Sequence, residues 1–306
     1  MTENKLVSYC LFTYNQEKFI GNAIKGALSQ TYSPLEIIIS DDCSSDSTFK
    51  IVQEVINVYS GPHKIILNRN NKNLGLGKHF SNVASDIANG EYIIIVAGDD
   101  ISKENHVDVA VDQLEKYPDI QMIDFSGEII DENGQIIRKI LLNFDIKLNT
   151  IKDYLSLKRL EFFAPGRIIR RDLLDYFEPL SNRCPTEDSV LVLRSLMMGG
   201  FMRVNRDVIY YRKHTNNISS SSGLAKLSNL SIIAQYLKDI IFFYDKNNLD
   251  SKLVDLLLTR VYLERDLRFL SFEERLFRIH SFSRPFLKVV YKLIYRLNNY
   301  SKINNI

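Results

Sequence analysis

The stretch Leu35-Glu-Ile-Ile-Ile-Ser-Asp-Asp-Cys-Ser-Ser-Asp46 joins a run of β-branched residues to an acidic, polar segment directly after it. The run Ile37-Ile38-Ile39 contains no polar residue, which predicts a strand that is buried on both faces of a sheet. Strands of this kind occur in parallel sheets covered by helices, where ligands bind at the carboxyl ends of the strands. The acidic residues that follow this strand are therefore candidates for a binding site.

Strand-like and helix-like segments alternate on either side of this stretch. We predict further strands over residues 6–12, 64–67 and 92–96, and helices over residues 17–30, 46–59 and 78–88. Such alternation is typical of parallel strands that are joined by crossover helices. The expected fold class is therefore α/β, with a Rossmann-like, mostly parallel central sheet flanked by helices.

The pattern becomes less regular after Asp100. We predict a helix over 103–117, strand-like segments over 121–129, 135–141 and 204–212, and helical or mixed segments over 168–176 and 188–198. The residues Asp131-Glu-Asn-Gly134 favour a hairpin turn between two of these strands. Residues 216–223 form a polar linker, and the chain beyond it is predicted to be mostly helical. We therefore expect a main domain over 1–219, with halves at 1–102 and 103–219, and a helical C-terminal extension over 224–306.

The bulk composition excludes several classes of protein. The chain has 306 residues, a hydrophobic fraction of 45% and a net charge of +2, so no nucleic-acid partner is expected. Its three cysteines are far apart, which favours reduced thiols over a disulfide framework or a zinc site. The first residues are polar, and no apolar run approaches the roughly 18 residues that span a bilayer. The expected location is the cytoplasm, either free or at the inner face of the plasma membrane.

Oxygen-bearing side chains follow three of the predicted strands. They are Thr13-Tyr14-Asn15, Asp41-Asp42 and Gly98-Asp99-Asp100. If the strands are parallel neighbours, these groups gather around one cleft that suits a nucleotide diphosphate. An aromatic ring can stack on a base, and carboxylates can reach phosphates through a hard divalent cation. Two plainer interpretations stay open, since Asp-Asp pairs also cap helices and turns and an isolated Tyr14 is more often a packing residue.

The ordered set of motifs resembles the family 2 glycosyltransferases, which have the nucleotide-diphospho-sugar transferase (GT-A) fold. The matching segments are Thr13-Tyr14-Asn15, residues 36–48, Asn73-Leu-Gly75, residues 89–93 leading into Gly98-Asp99-Asp100, Gly166–Leu174, Thr186-Glu187-Asp188, and Tyr211-Arg-Lys-His214 with Asn217 and Ser219. The resemblance covers residues 5–219. Each motif alone has low specificity, whereas their order and spacing together are specific.

The resemblance implies a role for each matched position. It makes 1–102 a nucleotide-binding half and 103–219 an acceptor-binding half of a catalytic domain. The nucleotide-binding residues would be Thr13, Tyr14, Asn15, Asp41, Asp42, Asn73, Gly75, Lys78 and Asp99. Asp99, Asp100 and His214 would hold Mn²⁺ or Mg²⁺, Asp188 would be the catalytic base, and Glu187 and Arg212 would lie on the acceptor side. The base is expected to be uracil, from its frequency in the family over dTDP or GDP donors.

The implied activity is inverting transfer of a sugar from a UDP-sugar to a saccharide or lipid-linked saccharide, in the synthesis of a bacterial capsule or O-antigen. Taken alone, Asp188 is better explained as a residue that favours the positive end of a helix dipole, and only the matched family pattern makes it the catalytic base. The alternative function is a non-catalytic sugar-nucleotide-binding or scaffold subunit of a polysaccharide assembly complex. A nucleotidyltransferase would need a basic, glycine-rich loop after the first strand, where Asn15-Gln16-Glu17 stands instead.

Three positions depart from the family pattern. Phe12 replaces a proline of the first strand, and Gly98 stands where a further carboxylate is common, which leaves the metal-ligand assignment between Asp99 and Asp100 open. Ser81 replaces an arginine before Asn82, and Lys78 is a candidate source of that charge one turn earlier.

The C-terminal segment 283–306 carries a periodic basic stripe. Arg284, Lys288, Lys292 and Arg296 recur every four residues, with apolar residues between them. On a helix this pattern suits an anionic membrane surface. Docking of the apolar face on the catalytic domain or on a second subunit explains it equally well, and a homo-oligomer formed through the C-terminal helices is therefore a second expected partner.

Overall fold

A computed structural model describes residues 4–156, 160–215, 217, 227–247 and 251–269 of the chain. The chain divides into two compact units, one of residues 1–151 with 160–228 and the other of residues 152–159 with 229–306. The first unit contains every segment that matches the family motifs upstream of residue 219. The predicted boundaries between domains stay a prediction.

The first unit is built on one mixed sheet. Its strands are β1 (Val7–Thr13), β2 (Leu35–Asp41), β3 (Lys64–Arg69), β4 (Tyr92–Ala97), β5 (Ile101–Ser102), β6 (Met122–Ile130), β7 (Ile136–Lys139), β8 (Ile146–Asn149), β9 (Arg167–Arg170) and β10 (Phe201–Arg212). They lie in the order β3-β2-β1-β4-β9-β6-β10-β5, with β7 beside β6 and β8 beside β10. The four strands from β3 to β4 are parallel to one another. The α/β class and the flanked central sheet are confirmed.

Helices cover the sheet and continue into the second unit. They are α1 (Ile20–Leu28), α2 (Thr48–Asn57), α3 (Leu76–Asn82), α4 (His106–Lys116), α5 (Ile151–Leu155), α6 (Arg171–Tyr176), α7 (Asp188–Met197), α8 (Asn229–Asn247) and α9 (Ser251–Phe269). A π-helical turn over Val83–Ile87 extends α3. The last two helices confirm that the C-terminal part is helical where the structure describes it.

The core lies between the parallel strands and α1, α2 and α4. All seven residues of β1 and all seven of β2 are buried. Ile37 and Ile39 pack in the main hydrophobic cluster, and Ile38 is also fully buried, although it lies outside that cluster. The prediction of a strand buried on both faces is confirmed, because helices cover the sheet on both sides.

The second half of the sheet contains a strand that the residue pattern did not resolve. Residues 168–176 were expected to be helical or mixed, and they are mixed, because β9 is a strand antiparallel to both β4 and β6 and α6 begins at Arg171. The hairpin at Asp131–Gly134 is present, and Asp131 accepts hydrogen bonds from the backbone N–H groups of Asn133 and Gln135. Pairing with β9 depends on partners distant along the chain, so local periodicity does not reveal it.

The second unit contains a cluster around Tyr154. Its hydroxyl donates to Glu264 at 2.9 Å, and its backbone oxygen accepts from Arg260 at 3.1 Å. Within the parts of the chain listed above, no helix is both long and apolar enough to cross a bilayer. The basic stripe of 283–306, with its membrane and oligomer interpretations, lies outside the described residues, as does Ser219.

Candidate active site

The carboxyl ends of β1, β2 and β4 meet at one rim of the sheet. The strand β1 lies between the other two, and the backbone joins them beyond their ends. The N–H of Asp42 donates to the oxygen of Thr13 at 2.9 Å, and the N–H of Gly98 donates to the oxygen of Phe12 at 2.7 Å. A Cβ at Gly98 would lie 2.6 Å from Oε1 of Gln16 and 2.8 Å from the hydroxyl of Thr13, so a side chain at this position would require these two groups to move.

The loop after β1 presents Tyr14 to solvent. Tyr14 is 44% exposed, while Thr13 is buried and its hydroxyl donates to Gln16 at 2.9 Å. Asn15 has a φ of 51°, and its side-chain oxygen accepts from the N–H of Ser45 at 2.8 Å. Asn15 therefore ties this loop to the loop after β2, and Tyr14 is left available to stack on a planar ligand.

Asp42 holds the loop that precedes α3. Its carboxylate accepts hydrogen bonds from the side-chain amide of Asn70 at 2.7 Å and from the N–H groups of Leu74 and Gly75, each at 2.9 Å. Asn73 also accepts from the N–H of Gly75, at 2.9 Å. The structure thus brings three predicted nucleotide-site residues, Asp42, Asn73 and Gly75, into one hydrogen-bonded group.

An open cavity of about 430 Å³ lies beside this group. Its lining residues are Asn68, Arg69, Asn70, Asn71, Lys72, Leu74 and Asn82. Side-chain amides can both donate and accept hydrogen bonds, and the two basic side chains suit an anionic group. The chemistry of this cavity fits a nucleobase or a phosphate better than an apolar ligand.

Asp41 has a different environment from its neighbour. Its carboxylate is fully buried, accepts from the N–H and hydroxyl of Ser44, and pairs with Arg69 at 3.2 Å. These contacts hold the turn after β2. We therefore assign Asp41 to positioning of this turn, and its direct contact with a nucleotide stays a prediction.

Asp99 meets two residues that follow β10. Its Oδ2 lies 2.8 Å from Nε2 of His214 and 3.3 Å from the side-chain nitrogen of Asn217. His214 also packs on Phe19, with ring centroids 4.8 Å apart. Two predicted metal-site residues separated by more than a hundred positions are therefore in direct contact.

Asp100 is more deeply placed than Asp99. It is 2% exposed and accepts from the N–H of Arg212 at 2.9 Å. Burial, followed by the charge of Asp99, raises the pKa of Asp100 well above its ordinary value. Arg212 donates to the backbone oxygens of Asp99, at 3.0 Å, and of Asp131, at 2.9 Å. Arg212 therefore holds this strand end in place, and its predicted place on the acceptor side stays untested.

The donor atoms at this strand end suit a hard divalent cation. Among the described residues, no group of three His, Cys, Asp or Glu side chains forms a preformed metal centre. Mg²⁺ commonly takes one or two protein carboxylates and completes its shell with water and substrate phosphates. Asp99 together with His214 supplies a carboxylate oxygen and an imidazole nitrogen in contact, so the residues fit an ion that arrives with a diphosphate.

A cluster of charged groups surrounds the first residue of α7. The side chain of Arg167 is 1% exposed and binds both oxygens of Asp124, at 2.8 and 3.0 Å. Its Nη1 donates to the backbone oxygen of Asp188 at 3.0 Å and lies 3.8 Å from Oδ1 of the same residue. The Asp188 side chain is 40% exposed, whereas Glu187 is buried, and one of its oxygens accepts no hydrogen bond from the described residues.

The two carboxyl groups at this position have different electrostatics. Burial, followed by the charge of Asp188, raises the pKa of Glu187 to about 8. Burial raises the pKa of Asp188, the Arg167 guanidinium opposes this rise, and Asp124 adds to it. Neutral Glu187 donates a hydrogen bond to the Asp188 carboxylate. The site therefore holds two adjacent carboxyl groups with different electrostatics, of which Asp188 is the partly exposed one.

The start of α3 links the Asp42 loop to the Asp188 segment. A Cβ at Gly77 would lie 2.2 Å from the backbone oxygen of Cys184 and 3.4 Å from the nitrogen of Thr186. The segment that leads into Glu187 thus packs against the helix whose first turn Asp42 holds. Lys78 is half-buried on this helix.

Several residues of the site were not recognised from the sequence. Asp124, Asn70 and Phe19 carried no local signal, and Arg167 was noted only as part of a motif. A buried arginine requires a carboxylate partner, so a strand-like segment containing Arg167 could have prompted a search for one.

Comparison with known proteins identifies the family. The sequence profile described as glycosyl transferase family 2 matches residues 8–177, which is more than half of the chain. The chain belongs to glycosyl transferase family 2. The resemblance predicted from the ordered motifs is thereby confirmed.

Relatives of this family 2 chain include bacterial proteins. It is 33% identical over 134 residues to the putative glycosyltransferase EpsE of Bacillus subtilis. This alignment covers 44% of this chain and 47% of EpsE. It is also 32% identical over 132 residues to the chondroitin synthase of Escherichia coli. That alignment covers 43% of this chain and 18% of the synthase. The chain therefore matches less than half the length of these two relatives.

Solved structures share the fold of this family 2 chain. S. aureus TarS in complex with UDP-GlcNAc aligns with a TM-score of 0.63 at 20% identity, over 86% of this chain and 73% of that one. The mannosyltransferase PcManGT from Pyrobaculum calidifontis, in complex with GDP-Man and Mn²⁺, aligns with a TM-score of 0.55 at 14% identity, over 96% of this chain and 85% of that one. At these identities the likeness establishes the GT-A-like fold.

Proposed function

We propose that this chain is an inverting glycosyltransferase that moves a sugar from a nucleotide-diphospho-sugar, with UDP preferred, to a saccharide or lipid-linked saccharide in bacterial surface polysaccharide synthesis. The observation that carries the proposal is the succession of contacts from the Asp42 loop through Gly77 to the segment of Asp188. These contacts support a donor site and a proton acceptor that border one cleft.

The donor would bind along the ends of β1, β2 and β4. Tyr14 is exposed enough to stack on a base, and the amide-rich cavity beside Asp42 offers partners for its polar edge. UDP-GlcNAc bound to TarS supports a UDP donor, whereas GDP-Man bound to PcManGT makes GDP-sugars the necessary comparison.

The diphosphate would lie near Asp99 and His214. We propose that these residues, with Asp100 behind them, hold Mn²⁺ or Mg²⁺. When bound, this ion supplies positive charge that neutralises the departing diphosphate. The Mn²⁺ of PcManGT supports the proposal, and Arg212 keeps the strand end in position through backbone oxygens.

The acceptor hydroxyl would be activated by Asp188. Its carboxylate is exposed enough to meet an acceptor and removes the hydroxyl proton as the oxygen attacks the anomeric carbon. The bond to the diphosphate breaks as the new glycosidic bond forms. A single displacement of this kind inverts the configuration at the anomeric carbon. The relation to chondroitin synthase supports a growing polysaccharide as the acceptor.

The test measures release of nucleoside diphosphate from UDP- and GDP-sugars with Mn²⁺ and a panel of saccharide acceptors. We expect Asp188→Asn to lower kcat by about 10²–10⁴-fold while the donor KM changes little. The exposed Asp119 provides a matched control variant, Asp119→Asn, with expected wild-type rates. A wild-type rate in Asp188→Asn would contradict the assignment of the base, and nucleotide binding without turnover for every donor would favour the scaffold alternative.

A further inference from the structure

Fold stability alone gives only a weak reason for the buried pair of Arg167 and Asp124. Both side chains are at most 1% exposed. Removing two charges from water costs several kcal/mol for each ion, and a buried ion pair often does no better than apolar residues of the same volume. The guanidinium also contacts a group outside this pair, and that contact suggests a function for the pair.

Sheet geometry fixes the direction of the guanidinium. The strands β6 and β9 are antiparallel with Met122 opposite Ile169 and Ile123 opposite Ile168, and the same register sets Asp124 opposite Arg167. Asp124 is itself held, because its Oδ2 accepts from the N–H of Phe163 at 2.9 Å. The bidentate contact engages Nε and Nη2, so Nη1 remains available for a partner outside the pair.

That remaining nitrogen reaches Asp188. It donates to the backbone oxygen of this residue and lies 3.8 Å from the side-chain oxygen Oδ1. The backbone contact holds the first residue of α7, and the nearby positive charge favours the ionised carboxylate. We propose that Arg167 is a positioning residue that directs the Asp188 carboxylate toward the cleft and favours its ionised form. This proposal rests on the proposed function, in which Asp188 is the base.

Two charged side chains and one neutral carboxyl group act on Asp188. Arg167 on β9 favours its ionised form, whereas Asp124 on β6 opposes it. Glu187, which directly precedes α7, is buried and neutral and donates a hydrogen bond to it. Loss of the Arg167 charge should therefore raise the midpoint of the Asp188 titration, and loss of the Asp124 charge should lower it.

The experiment compares Arg167→Gln, Asp124→Asn and the double variant with the wild-type chain. Asp188 is titrated directly by ¹³C NMR of its carboxyl carbon, assigned by its absence in Asp188→Asn. We expect the midpoint to rise by at least about one pH unit in Arg167→Gln, to fall in Asp124→Asn, and to lie between wild type and Arg167→Gln in the double variant. The acidic limb of the kcat profile should follow the same order, with the donor KM unchanged.

Control variants distinguish a local effect of Arg167 and Asp124 on Asp188 from a general effect of removing a charge from the chain. Arg206 and Asp145 form an exposed ion pair, so Arg206→Gln and Asp145→Asn should leave the midpoint unchanged. If Arg167→Gln does not fold, the midpoint in the double variant is compared with that in Asp124→Asn, which differs from it only at position 167, and it should be the higher of the two. Equal midpoints, or shifts of the same sign in the two single variants, would overturn the proposal. Absence of wild-type turnover would instead count against the proposed function, since the NMR titration does not depend on catalysis.

Discussion

Replacing Glu187 by glutamine tests the electrostatics of the site through stability. Glu187 is 4% exposed, its Oε2 has no hydrogen-bond partner among the described residues, and it directly precedes Asp188. Burial removes this carboxyl group from water and the charge of Asp188 lies beside it, so ionisation costs free energy. Glutamine has nearly the same shape and keeps a donor for Asp188 but does not titrate.

The magnitude follows from the two pKa values. Glu187 titrates at about 8 in the folded chain, against its ordinary value of 4.5. Below about pH 4.5 the group is protonated in both states and costs nothing. As the pH rises from 4.5 to 8, only the unfolded chain loses the proton, so the free energy of unfolding falls, and above about pH 8 the loss is complete. At about 1.36 kcal/mol for each pH unit, the total is about 5 kcal/mol.

The assay is urea denaturation at pH 5 and at pH 8, followed by circular dichroism and by tyrosine fluorescence. The chain has 16 tyrosines and no tryptophan, so the tyrosine signal is undisturbed. We expect Glu187→Gln to gain stability over wild type as the pH rises, by several kcal/mol between these two conditions. Glu104→Gln, at an exposed position, is the matched control. A gain that differs by less than about 1 kcal/mol between the two pH values would refute the reasoning.

Three further outcomes are expected. Asp42→Asn should raise the donor KM by about tenfold or more in initial-rate measurements, because asparagine cannot accept hydrogen bonds from two backbone N–H groups and an amide as the carboxylate does. An unchanged KM would argue against a place for Asp42 in the donor site. Tyr14→Ala should weaken nucleotide binding by about 5–100-fold in calorimetry while Tyr14→Phe binds normally, and equal loss in both would point to the hydroxyl instead of stacking. Ile94→Ala in the fully buried centre of β4 should cost about 2–5 kcal/mol in denaturation. Val58→Ala, at a side chain that is 82% exposed, should cost less than about 0.5 kcal/mol, and comparable losses would show that Ile94 does not belong to the core.

The first half of the fold could be predicted from local patterns. The strands β1, β2 and β4 each combine an apolar run with a polar residue at the carboxyl end, and these ends do converge. Each of these strands can be recognised from a few neighbouring residues, although the pairing of β1 with β4 joins segments that are far apart along the chain. The second half was predicted less well, because β9 is only four residues long and periodicity does not distinguish so short an apolar run from part of a helix.

The candidate site divides in the same way. Asp42 and Asp41 have the same residue type and adjacent positions, yet Asp42 holds the loop before α3 and Asp41 holds its own turn. Alternation along a strand sends neighbouring side chains in opposite directions, and only the packed structure shows what each direction meets. The contact of Asp99 with His214 was implied by the family resemblance but not by any local pattern.

The sequence by itself determined the α/β class, the buried parallel strands and the polar residues at their ends, because hydrophobic periodicity and turn chemistry act over a few neighbouring residues. The tertiary structure alone decided which residues are in contact, as where Arg167 contacts both Asp124 and Asp188. Such contacts depend on strand order and register, which arise from packing across the whole sheet, and a stretch of sequence does not carry that information.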